Sequence, residues 1–301
     1  MGLDVNKIGG VLNNTSAALS ERFRALFMLR SVGSDAAVKQ IEKCLVDKSD
    51  LLNHELAYCL GQMQNTTALP KLIGVLEDSS LAPILRHEAA EAIGAIGEAS
   101  CLSVLEKYCN DACQEVAETC QLAVGRIKWL RDKENSSEEA KLIPSPFKSV
   151  DPTPSGLGSI TDVNILEDKL TNSENTMFER YRAMFSLRNL NTDEAAVALT
   201  KGLYSSDSAL FRHEVAYVLG QMQLAVAVPD LMKTLSDRNE NCMVRHKCAE
   251  ALGSIANETC LATLNEHLND PSDVVRESCE VALDMYKYEN SDEFNYALGA
   301  V

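Results

Sequence analysis

Apolar residues along the chain recur at three- and four-residue intervals without strand-like alternation, so the pattern predicts helices and no sheet. Between residues 51 and 63, Leu52, Leu56, Leu60 and Met63 fall on one helical stripe that would face a core. This segment and 36–46 before it make one predicted helix pair, and 67–76 with 83–96 make the next. Pro70, Pro83 and Pro229 stand where the first turn of a helix has no internal hydrogen bond to lose.

The pattern then repeats. ERFRALFMLR at 21–30 returns as ERYRAMFSLR at 179–188, and HELAYCLGQMQ at 54–64 returns as HEVAYVLGQMQ at 213–223. RHEAAEAIG at 86–94 is matched by RHKCAEALG at 245–253, and VAETCQLAV at 116–124 by VRESCEVAL at 275–283. The offset is 158 at the first string and 159 at the others, so the chain is a duplication with its units in the same order. Within each half a shorter period shows: 33 residues separate His54 from His87, and 33 separate His213 from His246. A period in the thirties made of helices predicts paired helices stacked as a solenoid. Residues 131–160 differ in texture, holding four of the eight prolines among Ser, Glu and Lys. They read as an extended connector with little apolar surface to bury, between a lobe at 1–130 and a second at 161–301.

Composition narrows the classes. The 301 residues carry 28 basic and 44 acidic side chains, a net charge of −16. Phosphate binding needs a basic stripe, so nucleic acid is excluded as the expected partner, whereas a basic protein is compatible. No apolar run approaches the ~20 residues of a membrane span, and nothing at the N-terminus reads as a signal peptide. The ten cysteines form no CxxC pair, and Cys59, Cys120, Cys248 and Cys279 sit within helical patterns as small core side chains. Reduced thiols in a cytoplasmic, monomeric protein are the expectation.

Four of the five histidines occupy equivalent repeat positions: His54, His87, His213 and His246. Three are followed by glutamate, at Glu55, Glu88 and Glu214; the fifth, His267, has no counterpart and reads as a surface residue. Adjacent helices lie ~8–10 Å apart, so an imidazole and a carboxylate from neighbouring repeats can converge on a metal ion. Imidazole and carboxylate without thiolate suit iron or manganese, and two histidines with one carboxylate form an oxygen-activating iron set. Zinc fits less well, because the His-Glu-x-x-His helical spacing is absent. Each histidine is followed seven residues later by glycine, at Gly61, Gly94, Gly220 and Gly253. Those glycines either leave room beside the imidazole or let another helix approach closely. At the fourth residue after each histidine stand Tyr58, Glu91, Tyr217 and Glu250, as groups that orient ligands or as ordinary partly buried side chains.

A duplicated helical chain carrying these four strings resembles the deoxyhypusine hydroxylase family over nearly its whole length. The resemblance implies an all-α solenoid of HEAT-like repeats in two lobes, with a centre of two ferrous ions held between the halves. It implies O2 as co-substrate and hydroxylation of a deoxyhypusine side chain on a eukaryotic translation initiation factor. By the same resemblance His54, His87 and Glu88 hold one iron, and His213 and His246 the other, with a glutamate expected after His246. Glu55 and Glu214 would be either further ligands or anchors for the ammonium groups of the substrate. The chain shows no Rossmann-type glycine fingerprint, so the reductant is expected to be external.

The fourth motif departs from the pattern: Lys247, not glutamate, follows His246. An ammonium has no lone pair to offer a metal, and it reverses the local charge. Weaker binding of one iron and reduced hydroxylation are expected. The competing readings are a repeat scaffold that binds a basic partner, impaired in catalysis by Lys247, and a helical-repeat lyase that attaches a chromophore to a protein.

Overall fold

A computed structural model describes residues 4–133, 144–156, 160–205 and 207–291. All regular structure among them is helical. The first compact unit ends at Ile127 and the second runs from Lys128 to Ser291. Eight helices begin in the first unit: α1 (Val5–Leu12), α2 (Leu19–Val32), α3 (Asp35–Cys44), α4 (Asp50–Gln62), α5 (Leu69–Glu77), α6 (Pro83–Ile96), α7 (Leu102–Tyr108) and α8 (Gln114–Lys133). The second unit repeats the order with α9 (Val163–Thr171), α10 (Met177–Leu190), α11 (Asp193–Thr200), α12 (Ala209–Met222), α13 (Val228–Ser236), α14 (Cys242–Ile255), α15 (Cys260–Glu266) and α16 (Asp273–Glu289).

Local chemistry sets the helix ends. The side chains of Ser34, Ser49, Thr192 and Ser208 accept from first-turn amides of α3, α4, α11 and α12. Thr176 and Glu179 form a reciprocal capping box on α10. Pro70, Pro83 and Pro229 lie in the first turns of α5, α6 and α13, as their spacing predicts. Gly97 ends α6 with φ of 84°, a left-handed conformation that glycine adopts without steric cost.

Within each unit the second helices of successive pairs pack side by side and are buried on most faces. Leu52, Leu56 and Leu60 of α4 are inside as expected, while Met63 falls at the helix end and is only half-buried. The glycines at the seventh residue after each histidine set the spacing of these helices. A Cβ on Gly61 would lie 2.7 Å from the Ala92 Cα, and one on Gly253 2.7 Å from the Ala282 Cα. Gly94 meets Ala123 and Gly220 meets Ala251 in the same way. Close helix approach, one of the two uses open to these glycines, is therefore what they serve.

A buried arginine clamp recurs that the hydrophobic pattern does not disclose. Arg22 Nε donates to the Leu12 carbonyl at 2.9 Å, and its Nη2 lies 2.7 Å from Asp47 Oδ2. Arg86 does the same with the Leu76 carbonyl and Asp111, Arg180 with the Leu170 carbonyl and Asp207, and Arg245 with the Leu235 carbonyl and Asp270. Each guanidinium satisfies a carbonyl orphaned at the end of the preceding helix and fastens it to an aspartate in the loop before the next pair's second helix. His267, expected at the surface, is buried in the last of these clamps, with Nδ1 3.1 Å from Asp270 Oδ2. The imidazole can be buried there because the Asp270 carboxylate, already bonded by Arg245, gives it a hydrogen-bonding partner.

The connector read at 131–160 is not loose throughout. α8 continues to Lys133, residues 134–143 lie outside the described residues, and Pro152–Gly156 is buried on the second unit. Asp151 makes two bonds to the fully buried Arg188, at 2.8 and 2.6 Å, and Gly156 N donates to Ser186 Oγ at 2.8 Å. Arg188 also lies between the Phe147 and Phe185 rings. A buried guanidinium requires a counter-charge, and a proline-rich segment loses little entropy in supplying it.

Candidate metal centre

In the first unit α4 and α6 bring three predicted ligands together. The His54 and His87 rings have centroids 5.6 Å apart and are tilted by 40°. Glu88, although adjacent to His87 in sequence, directs its carboxylate at the neighbouring repeat: Oε2 lies 2.9 Å from His54 Nε2 and 3.9 Å from His87 Nε2. All three side chains are buried, and one ligand atom from each lies within 4.8 Å of the other two. Two imidazoles and one carboxylate, enclosed and without thiolate, are a donor set that fits a divalent first-row metal ion.

Arg86 positions this set. It precedes His87, and its bonds to the Leu76 carbonyl and Asp111 lock the first turn of α6. On α4 Asn53 does the equivalent work beside His54, donating to the Asp47 carbonyl and accepting from the Asp47 amide, both at 2.7 Å. The spacing of the histidines does not disclose these groups. The signal available was the arginine that immediately precedes His87, His213 and His246, with an aspartate 25 residues beyond Arg86 and Arg245.

Glu55 is buried, and its Oε1 lies 3.9 Å from the Cys59 Sγ. Burial, with the Glu55 charge adding to it, pushes the Cys59 thiol well up, so it stays protonated and donates to the carboxylate. Glu214, the counterpart in α12, is equally buried.

The second unit reproduces the imidazole pair and not the carboxylate. His213 of α12 and His246 of α14 have ring centroids 5.3 Å apart, again tilted by 40°. Burial pushes the His246 imidazole down, against the opposing pull of Glu250, which favours the neutral, metal-ligating form. Lys247, at the position of Glu88, is buried and donates from Nζ to Glu250 Oε2 at 2.5 Å. Burial alone would raise the Glu250 carboxyl; the Lys247 charge, its hydrogen bond and the nearby His246 together outweigh burial and hold Glu250 at about 2. The other Glu250 oxygen is 3.8 Å from His246 Nδ1. Tyr217 lies beneath this ammonium, 5.9 Å from ring centroid to Nζ, and accepts from Gln221, which also bonds Ser149 and Arg188. The second donor set therefore fits a metal ion less well than the first, having two imidazoles and a cation where a carboxylate stands in the other unit.

Residues 196–284 match a family model described as HEAT repeats, and 85–111 match one described as a PBS lyase HEAT-like repeat. Deoxyhypusine hydroxylase of Homo sapiens is 52% identical over 296 residues, covering 98% of this chain and 95% of that protein. Deoxyhypusine hydroxylase of Drosophila melanogaster is 51% identical over 297 residues, with 98% and 95% covered. The solved structure of human deoxyhypusine hydroxylase in complex with glycerol superposes with a TM-score of 0.90 at 51% identity, covering 94% of this chain and 96% of that one.

Proposed function

The chain belongs to the deoxyhypusine hydroxylase family, and from that premise we propose that it is an O2-dependent, di-iron monooxygenase acting on a deoxyhypusine side chain of a translation initiation factor. The observation that carries the metal part of this reading is Glu88 reaching across to His54 of the neighbouring repeat, which completes a buried two-imidazole, one-carboxylate set. His54, His87 and Glu88 would hold one ferrous ion; His213 and His246 would offer the second two imidazoles. When bound, ferrous iron supplies the electrons and open coordination positions for O2 activation, with an external reductant restoring them.

The chain's own residues bind and exclude. Burial of the triad keeps bulk water from the reacting carbon. Glu55 and Glu214 are carboxylates next to the ligating histidines, and either could take a substrate ammonium as a charge-assisted hydrogen-bond partner. The acidic balance of the whole chain favours encounter with a basic loop.

Incubation of the iron-loaded chain with a deoxyhypusine-bearing acceptor, reductant and 18O2 tests the reading. The acceptor should gain one labelled oxygen atom. An acceptor that binds and leaves unlabelled would favour the scaffold reading instead.

A further inference from the structure

The duplication makes an internal control available. Glu88 and Lys247 occupy the same place in equivalent helices, one residue after equivalent histidines, and the imidazole pairs they adjoin match within 0.3 Å in centroid separation (5.6 and 5.3 Å) and in tilt. The third position is thus where the two units differ in charge and in donor capacity. In the first it is a carboxylate turned toward the partner imidazole. In the second it is an ammonium turned toward Glu250, and that carboxylate is committed to it at 2.5 Å.

We propose that the two halves are unequal metal sites: the first retains one ferrous ion tightly, while in the second an internal Lys247–Glu250 ion pair stands in place of the ligand and admits a divalent cation only weakly. This inference rests on the metal reading above and adds to it that occupancy is asymmetric. A cation entering the second site meets one ligand fewer and a positive charge more. Loss of even an outer-sphere partner lowers metal affinity about 10–100-fold, so the second site should be weaker by at least about 100-fold. Occupancy of the second half then follows the free iron concentration, while the first half stays filled. Glu250, the carboxylate beside His246, is itself engaged by Lys247.

Anaerobic titration of the metal-free chain with ferrous ion, followed by desalting and metal counting, reads this directly. The expected result is one retained ion per chain, abolished by His87→Ala and kept by His246→Ala. Lys247→Glu, folded by its helical circular dichroism, should retain two. Two ions retained by the unsubstituted chain would overturn the inference while leaving the metal reading intact. Loss of the single ion in His246→Ala would also overturn it, and these histidine variants decide the matter if Lys247→Glu does not fold. Retention of none by the unsubstituted chain and by folded Lys247→Glu would overturn the metal reading itself.

Discussion

Gly61→Ala adds one methyl group where α4 and α6, the helices that carry His54, His87 and Glu88, are in close contact. The new Cβ would lie 2.7 Å from the Ala92 Cα and 2.9 Å from its Cβ. A relaxed carbon contact is about 3.5–4.0 Å, so the two helices must part by about 1 Å. The obstruction is backbone, which cannot swing aside as a side-chain tip would. Against backbone the upper part of the overpacking range applies, about 2–3 kcal/mol, and the better helix propensity of alanine returns about 1. A net loss of about 1–2 kcal/mol follows, or a fall of roughly 2–8 °C in Tm for a unit of this size. The separation also stretches the 2.9 Å contact of Glu88 with His54, so retained metal should fall with stability. Gly74→Ala is the control, because Gly74 is exposed in α5 with nothing within 4 Å of the added atom. Only the propensity gain applies there, and Tm should rise by about 2–4 °C. Thermal melts by circular dichroism, with metal counting on the same samples, compare the two. A Gly61→Ala chain that melts at or above the parent and keeps its metal would refute the spacing role of these glycines.

Other consequences are equally concrete. Burial would raise the Asp270 carboxyl, but hydrogen bonds from Arg245, the Ser272 amide and His267 hold it at about 2, below its unfolded value of about 3.9. Its contribution to stability is therefore present above about pH 4 and lost as pH falls toward 2, so Asp270→Asn should flatten the urea midpoint across that window; an unchanged slope would count against the clamp. Arg188→Met removes the counter-ion of Asp151, and limited proteolysis within 144–156 should quicken at least about tenfold, the equivalent of ~1.4 kcal/mol. An unchanged cleavage rate would mean that other contacts hold the segment. Alkylation in the native state should label exposed Cys242 first and spare buried Cys120 and Cys279, whose thiols burial pushes up to about 12; peptide mass spectrometry reads the order.

Much of the architecture was legible because it is local. Helix spans at 36–46, 51–63 and 83–96 differ from α3, α4 and α6 by two residues at most, since apolar spacing and first-turn prolines act within a few residues of themselves. The four histidines were legible because duplication repeats a rare residue in register. His267 was misread for the converse reason: a histidine without a counterpart carries no repeat signal, and its burial depends on Arg245 of α14 joining it and the local Asp270. The stretch at 144–156 was read by composition as part of an extended connector, and composition does not reveal that Arg188, buried on α10, bonds the Asp151 carboxylate.

The amino-acid order alone determined the helical class, the doubling of the chain, the four imidazole positions and the exchange of carboxylate for ammonium at Lys247. Tertiary structure decided where those groups point. Glu88 turns to His54 and not only to its own neighbour, Lys247 turns to Glu250, and the glycines face alanines of the next helix and not the imidazoles. The reason is one of range. Periodicity is written in contacts between residues three and four apart, whereas a rotamer in a packed interior is chosen by whatever neighbouring helices present to it.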